Sequence, residues 1–351
     1  DGFNYRRTYG NISLNNVKFY VMPTNNNDAV SDKCGMVVYT GSNAAGRTTL
    51  NLNGVVYDAV TGTMGRGDHT PSMFVYAPSD YQYVDVIEAG LNSCKINGET
   101  VNYKGIKFAA ILVYDDTVAA YYSTIQDAIN AYENGNNGDY TVIISDGTYY
   151  EYGILIRQQA GKSLTIRAEN AHKAVLVNDN SADSAGVFHI SGGSSYETGP
   201  LTIEGIRFEL PAGASVNCFG IKLLSESDEG GTINRYASNI TIRNCEFTGS
   251  VEKSCAVWSG AKSQPKNILI EGCRGDGLTA FYNGYGTELT IRDSTLINAR
   301  GLLNSQSADS ENAILIENVD AAVDYESAKD MDAIKINGGN LIVKGCHITL
   351  R

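Results

Sequence analysis

Along much of the chain, apolar and polar residues alternate in short runs that stop at a glycine, asparagine or aspartate and resume after it. One nine-residue phrase, Asn239-Ile-Thr-Ile-Arg-Asn-Cys-Glu-Phe247, recurs with starts at Pro200, Asn267, Glu288, Ala313 and Asn340. In it Ile240 and Ile242 alternate with Thr241 and Arg243, the period of two that marks a strand with one buried face. At the bend the copies place Gly205, Asn244, Gly272, Asp293, Asn318 and Gly345, the residue types that enter the left-handed region at least cost. The starts lie 39, 28, 21, 25 and 27 residues apart, so the phrase is constant while the intervening loops vary. Second apolar runs follow at Gly220–Leu223, Cys255–Trp258, Thr279–Tyr282 and Ala333–Ile336.

Hairpin-joined strands would not repeat one phrase in one register, whereas stacked coils would, each strand pairing with its copy one coil away. The pattern therefore predicts an all-β chain, a right-handed parallel β-helix. Phrase copies at Asn11 and Thr49, with strands near Gly35–Tyr39 and Ser72–Tyr76, extend it to an N-terminal set of coils over residues 1–80. Residues 81–121 break the pattern and read as a connector or cap, with a hairpin-like turn at Lys95–Glu99. The main solenoid spans 122–351. At its start Ile125, Ala128, Ile129 and Tyr132 share one helical face after Ser123, which predicts a short amphipathic capping helix over 123–133. Cys245, Cys273 and Cys346 fall where other copies place Ile206, Val319, Val55 or Val17, and are expected to fill the interior.

Tyr122-Ser-Thr-Ile-Gln-Asp-Ala-Ile-Asn-Ala, followed by Tyr140-Thr-Val-Ile-Ile-Ser-Asp-Gly-Thr-Tyr-Tyr-Glu151 and Ser163-Leu-Thr-Ile-Arg167, resembles the opening of pectin-lyase-like β-helices, especially pectin methylesterases. Similar openings occur in repeat-bearing surface proteins of gut bacteria. The resemblance covers roughly residues 120–351. It implies a bacterial protein, secreted or at the cell surface, that faces glycans. The esterases' Gln-Asp-Thr and Asp-Phe-Ile-Phe-Gly motifs are not found, and the related hydrolases' motifs are matched only by Asp115-Asp116, in the connector. Gln126-Asp127 falls in the helix.

Composition narrows the partners. The chain has 351 residues, with 39 acidic and 27 basic side chains and a net charge of −12, which disfavours nucleic acid. No apolar run reaches the roughly 20 residues of a membrane span. Seven cysteines without a Cys-x-x-Cys pair suggest neither a zinc site nor a disulfide scaffold. The histidines His69, His172, His189 and His347 are scattered.

Three kinds of surface are candidates for chemistry. Glu204, Glu271, Glu288 and Glu317, mixed with Arg243, Arg292 and Lys344, read as a solvated face of cross-strand pairs rather than the paired carboxylates of a glycosidase. On the other wall Lys222 is expected to point outward beside His189, Val257, Phe281 and Lys335, a row that would hold an anionic sugar by stacking and charge. Acidic loop groups, Asp179 with Asp183, Glu226–Glu229, and Asp324 with Glu326, Asp330 and Asp332, offer oxygen ligands for Ca²⁺ without a fixed ligand spacing, so no cofactor is assigned. Arg66-Gly67-Asp68 is taken as a coincidental tripeptide. The 22 tyrosines against one tryptophan suit sugar or protein recognition and a plain β surface alike.

Three functions compete. The leading expectation is a non-catalytic, adhesin-like module that binds a host protein or polysaccharide and performs no turnover. The second is a polysaccharide lyase or hydrolase acting on an acidic polymer. The third is a structural subunit that stacks head to tail or in tandem copies.

Overall fold

The computed structural model describes residues 3–5, 10–21, 38–40, 48–59, 75–76, 84–87, 91–96, 98–101, 108–178, 185–192, 198–210, 217–227, 233–260, 265–286, 288–306, 313–324 and 332–351. The chain divides into two compact units, one of residues 1–108 and 118–123, the other of residues 109–117 and 124–351.

The smaller unit is a short solenoid. Gly10–Asn15, Thr48–Asn53 and Val84–Ile87 pair in parallel, as do Lys18–Val21, Val55–Ala59 and Leu91–Ile96. A third parallel set joins Phe3–Tyr5, Val38–Thr40 and Val75–Tyr76. Leu50, Leu52, Val55, Tyr57 and Cys94 are buried between the walls. The strands Val84–Ile87 and Leu91–Ile96 thus form a third coil inside the segment expected to be a connector, and the expected turn follows them as an antiparallel hairpin of Leu91–Ile96 with Glu99–Thr100.

The larger unit has three walls. The first begins with Ala110–Tyr114 antiparallel to Gly138–Ile144. It continues in parallel through Lys162–Ala168, Leu201–Glu204, Ser238–Arg243, Lys266–Glu271, Leu289–Arg292, Ala313–Glu317 and Asn340–Lys344. The second stacks eight short strands from Gly147–Tyr149 to His347–Leu350. The third stacks Ile154–Arg157, Ala185–Ser191, Cys218–Leu223, Ser254–Ser259, Ala280–Gly284, Leu303–Ser305 and Ile334–Ile336. From Gly138–Ile144 onward consecutive strands of each stack run the same way, so the chain is an all-β parallel β-helix with one short helix among the described residues.

Side-chain chemistry explains the regularity. Ile166, Ile203, Ile242, Ile270, Ile291 and Ile316 stack inward, each fully buried. On the outer face of the same strands the register aligns Arg167, Glu204, Arg243, Glu271, Arg292, Glu317 and Lys344, a column whose charge alternates at every coil. Arg243 pairs with Glu204 at 2.8 Å and Arg292 with Glu271 at 2.5 Å. Glu204, Glu271 and Glu317 are therefore members of a cross-strand ladder, as their mixture with bases suggests, whereas Glu288 precedes its strand and stands outside the column. All six bend residues have positive φ, from 50° at Asp293 to 66° at Gly205.

The helix, Ile125–Asn134, buries Ile125, Ala128, Ile129 and Tyr132 against the start of the larger solenoid. Its cap is Thr124 rather than Ser123. The Thr124 hydroxyl accepts from the Asp127 N–H, while the Glu151 carboxylate takes the N–H groups of Ile125 and Gln126. A carboxylate reaching in from outside the helix supplies what the local sequence alone does not. At the other end the buried Lys162 donates to the carbonyls of Tyr132 and Glu133. Among the described residues no helix is long and apolar enough to cross a membrane.

Candidate functional site

The third wall carries the least ordinary outer surface. Pairing aligns Leu155, His189, Lys222, Trp258, Asn283, Asn304 and Lys335 in one column, one residue per coil, about 4.8 Å apart along the axis. His189, Lys222 and Trp258 are half-buried. The column contains no carboxylate.

Its centre is a platform built from two coils. Phe219 stacks on Trp258, ring centroids 5.0 Å apart and planes 4° from parallel. The Lys222 ammonium lies 5.3 Å from the centroid of the same indole, within the range where the ring's quadrupole attracts a cation. On the preceding coil His189 is opposite Lys222. Burial, and then the Lys222 charge, hold its imidazole below the ordinary titration range. The backbone N–H of Gly186 donates to His189 Nε2 at 3.1 Å. Beyond Trp258 the column turns to amides, with Asn304 Nδ2 donating to Asn283 Oδ1 at 3.0 Å. Asn304 Oδ1 is buried and has no hydrogen-bond partner.

His189, Lys222 and Lys335 thus share one outward column, as the strand pattern predicts. Val257 and Phe281 do not belong to it: both are fully buried, and Val257 pairs with Ile221 and Tyr282 on the inner side. The ladder skips Val187, Gly220, Ala256 and Phe281, and the residue after each skip, Phe188, Ile221, Val257 and Tyr282, is buried as well. Two successive inward residues break the period of two, so counting alternation across the skip lands one residue early. The outward aromatic is consequently Trp258, the only tryptophan in the chain. Its rarity was the signal available in the sequence.

Other candidates serve the fold. Gln126 bridges the Leu155 backbone, donating to its carbonyl and accepting its N–H. Asp115 and Asp116 form a tight turn at φ 44° and 61°, with Asp115 accepting the Asp139 N–H. A second Arg-Gly-Asp, Arg274–Asp276, is a strand whose Gly275 faces Leu296, Leu278 and Phe281. Residues 66–69, Asp179, Asp183, Asp228, Glu229, Glu326 and Asp330 lie outside the described residues, and of Glu226 only the backbone is described. Among the described residues no three His, Cys, Asp or Glu side chains converge as a metal site would require. A shallow depression of about 320 Å³ on the first wall is lined by Leu269, Thr290, Leu315 and the ladder residues Arg292 and Glu317, whose charges already face opposite partners.

No family model matches the chain and no curated sequence is similar to it. Among solved structures it is similar to an iota-carrageenase of family GH82 from A. fortis, at 16% identity over 56% of this chain and 51% of that one, with a TM-score of 0.33. It is also similar to the PL6 family alginate lyase AlyGC, at 12% identity over 97% of this chain and 58% of that one, with a TM-score of 0.39. The chain thus spans little more than half the length of the structures it matches. Those structures are polysaccharide-degrading enzymes, a hydrolase and a lyase, and not adhesins. The expectation of a non-catalytic, adhesin-like module for a host protein is corrected accordingly. The strand topology agrees with the pectin-lyase-like fold that the sequence resembles.

Proposed function

We propose that this chain cleaves an acidic polysaccharide outside the cell, binding it along the third wall of the larger solenoid. The observation that carries the reading is the platform itself. A half-buried indole stacked on a second ring, with a cation beside it and an imidazole one coil away, offers apolar surface for a pyranose and positive charge for its anionic substituent. A column with one side chain per coil suits an extended polymer lying along the axis, while the asparagines offer amides to neutral hydroxyls.

Of the two cleavage chemistries, β-elimination fits this surface better than hydrolysis. Glycoside hydrolysis uses two carboxylates flanking the bond, and the column has none. In elimination a solvent hydroxide takes the proton on the carbon next to a uronate carboxylate and becomes water. The electron pair forms the C=C bond as the glycosidic C–O bond breaks, and the leaving oxygen takes a proton from water, which returns the hydroxide. The demand is for groups that stabilise negative charge growing on the carboxylate, which Lys222 and His189 supply.

The test is incubation of the protein with uronate-containing and sulfated polysaccharides, followed by ultraviolet absorbance for unsaturated ends and by a reducing-end assay. New unsaturated ends, reduced about tenfold or more by Trp258→Ala, are expected. Reducing ends without unsaturation would replace elimination by hydrolysis. Silence on all polymers overturns the proposal.

A further inference from the structure

We infer that Gly186 is a positioning residue that locks His189 as a neutral imidazole protonated on Nδ1, so that His189 donates a hydrogen bond to the substrate's anionic group and is not the base. The inference rests on the functional reading above and assigns a role within the same site.

A backbone N–H can only donate, so the Gly186 N–H on His189 Nε2 at 3.1 Å requires that nitrogen to carry its lone pair. The neutral ring must then hold its proton on Nδ1. With Nε2 occupied, the imidazole has no second lone pair with which to take a proton from carbon. Nδ1–H is its remaining donor, and none of the described hydrogen bonds uses it.

Position 186 has to be glycine for this arrangement. A Cβ there would come within 2.8 Å of Lys222 Cβ, 3.0 Å of the Phe188 carbonyl oxygen and 3.2 Å of His189 Cδ2. The missing side chain lets the imidazole fold back onto its own strand while Lys222 packs over the same spot from the next coil. Gly186 therefore sets both the tautomer and the proximity of the two groups.

Chemically, the Lys222 side chain would face the substrate carboxylate as a cation and the imidazole as a dipole. A neutral imidazole is the better partner beside a lysine, because it adds a donor without a second charge. Burial and the neighbouring ammonium both favour that neutral form. Neutral imidazoles act as electrophiles in this way where a negative oxygen develops during proton abstraction.

Two measurements test the inference. The first is the ¹⁵N spectrum of histidine-labelled protein at pH 8, where His189 is expected to show a protonated Nδ1 and an unprotonated Nε2. Gly186→Ala should shift it toward the ordinary tautomer mixture. A protonated Nε2 in the wild-type protein overturns the inference whether or not the protein is active. The second is cleavage by two variants: His189→Gln keeps a donor and should retain activity within about tenfold, whereas His189→Ala should lose about 100-fold or more. Equal loss in both would assign His189 as the base and sink the proposal. Should Gly186→Ala unfold, the wild-type spectrum and the glutamine variant carry the test. Absence of cleavage with the predicted tautomer would fell the functional reading and leave the Gly186 lock standing.

Discussion

Asn244 lays its side-chain oxygen over Gly272, the residue stacked upon it at the next bend, so closely that a Cβ on Gly272 would come within 2.7 Å of Asn244 Oδ1. Asn318 covers Gly345 in the same way, at 2.6 Å. Both glycines also have positive φ, 60° and 59°. Gly272→Ala should therefore cost about 1–2 kcal/mol in urea unfolding from backbone strain alone, with the contact adding to it. In an Asn244→Gly background the added part should vanish, leaving a measurable coupling between the two positions. Additive effects would show that the contact carries no energy.

Gln158 is buried, and its side chain ties three coils together. Its Nε2 donates to the carbonyls of Gly199 and Ser238, and its Oε1 accepts the Ser238 N–H. Gln158→Leu keeps the volume but strands those backbone groups in the interior, at a cost of about 1–3 kcal/mol each where water cannot reach. The expected result is a clear fall in the midpoint of thermal unfolding. An unchanged midpoint would mean that water replaces the amide.

Cys245, Cys255 and Cys273 are buried free thiols, and burial pushes the Cys245 and Cys255 thiols well above their usual range. Cys346 is only half-buried. Under native conditions an aromatic disulfide reagent should label Cys346 and leave these three unlabelled until denaturant is added. Mass mapping of labelled peptides reads the outcome, and early labelling of Cys245 would contradict the packing.

His189 makes stability depend on pH with a definite sign. Its folded pKa lies below the unfolded value of about 6.5, because burial and Lys222 disfavour the charged ring. The unfolded chain therefore binds the proton first as pH falls. The contribution is intact above about pH 6.5 and is lost as pH drops toward the folded pKa. His189→Gln should flatten the stability curve across that interval, and any offset it causes should be constant above about pH 7. A parallel displacement of the whole curve would argue against this origin.

The amino-acid sequence determined the solenoid, because each coil repeats the same inward Ile-x-Ile and the same left-handed bend, and both are local properties. It also determined the alternating Arg and Glu column, since outward strand positions follow directly from inward ones. Only the tertiary structure decided which side chains share the third wall. There the strands take two successive buried residues at Gly220–Ile221, Ala256–Val257 and Phe281–Tyr282, a break in the period of two that at Gly220 brings the backbone so close to Phe247 that a Cβ would lie 2.7 Å from its ring. That break turns Trp258 outward beside Lys222 and hides Val257 and Phe281. The Glu151 clasp on the helix, the Gln158 tie and the Gly186 hydrogen bond likewise depend on where the neighbouring strand or coil comes to rest.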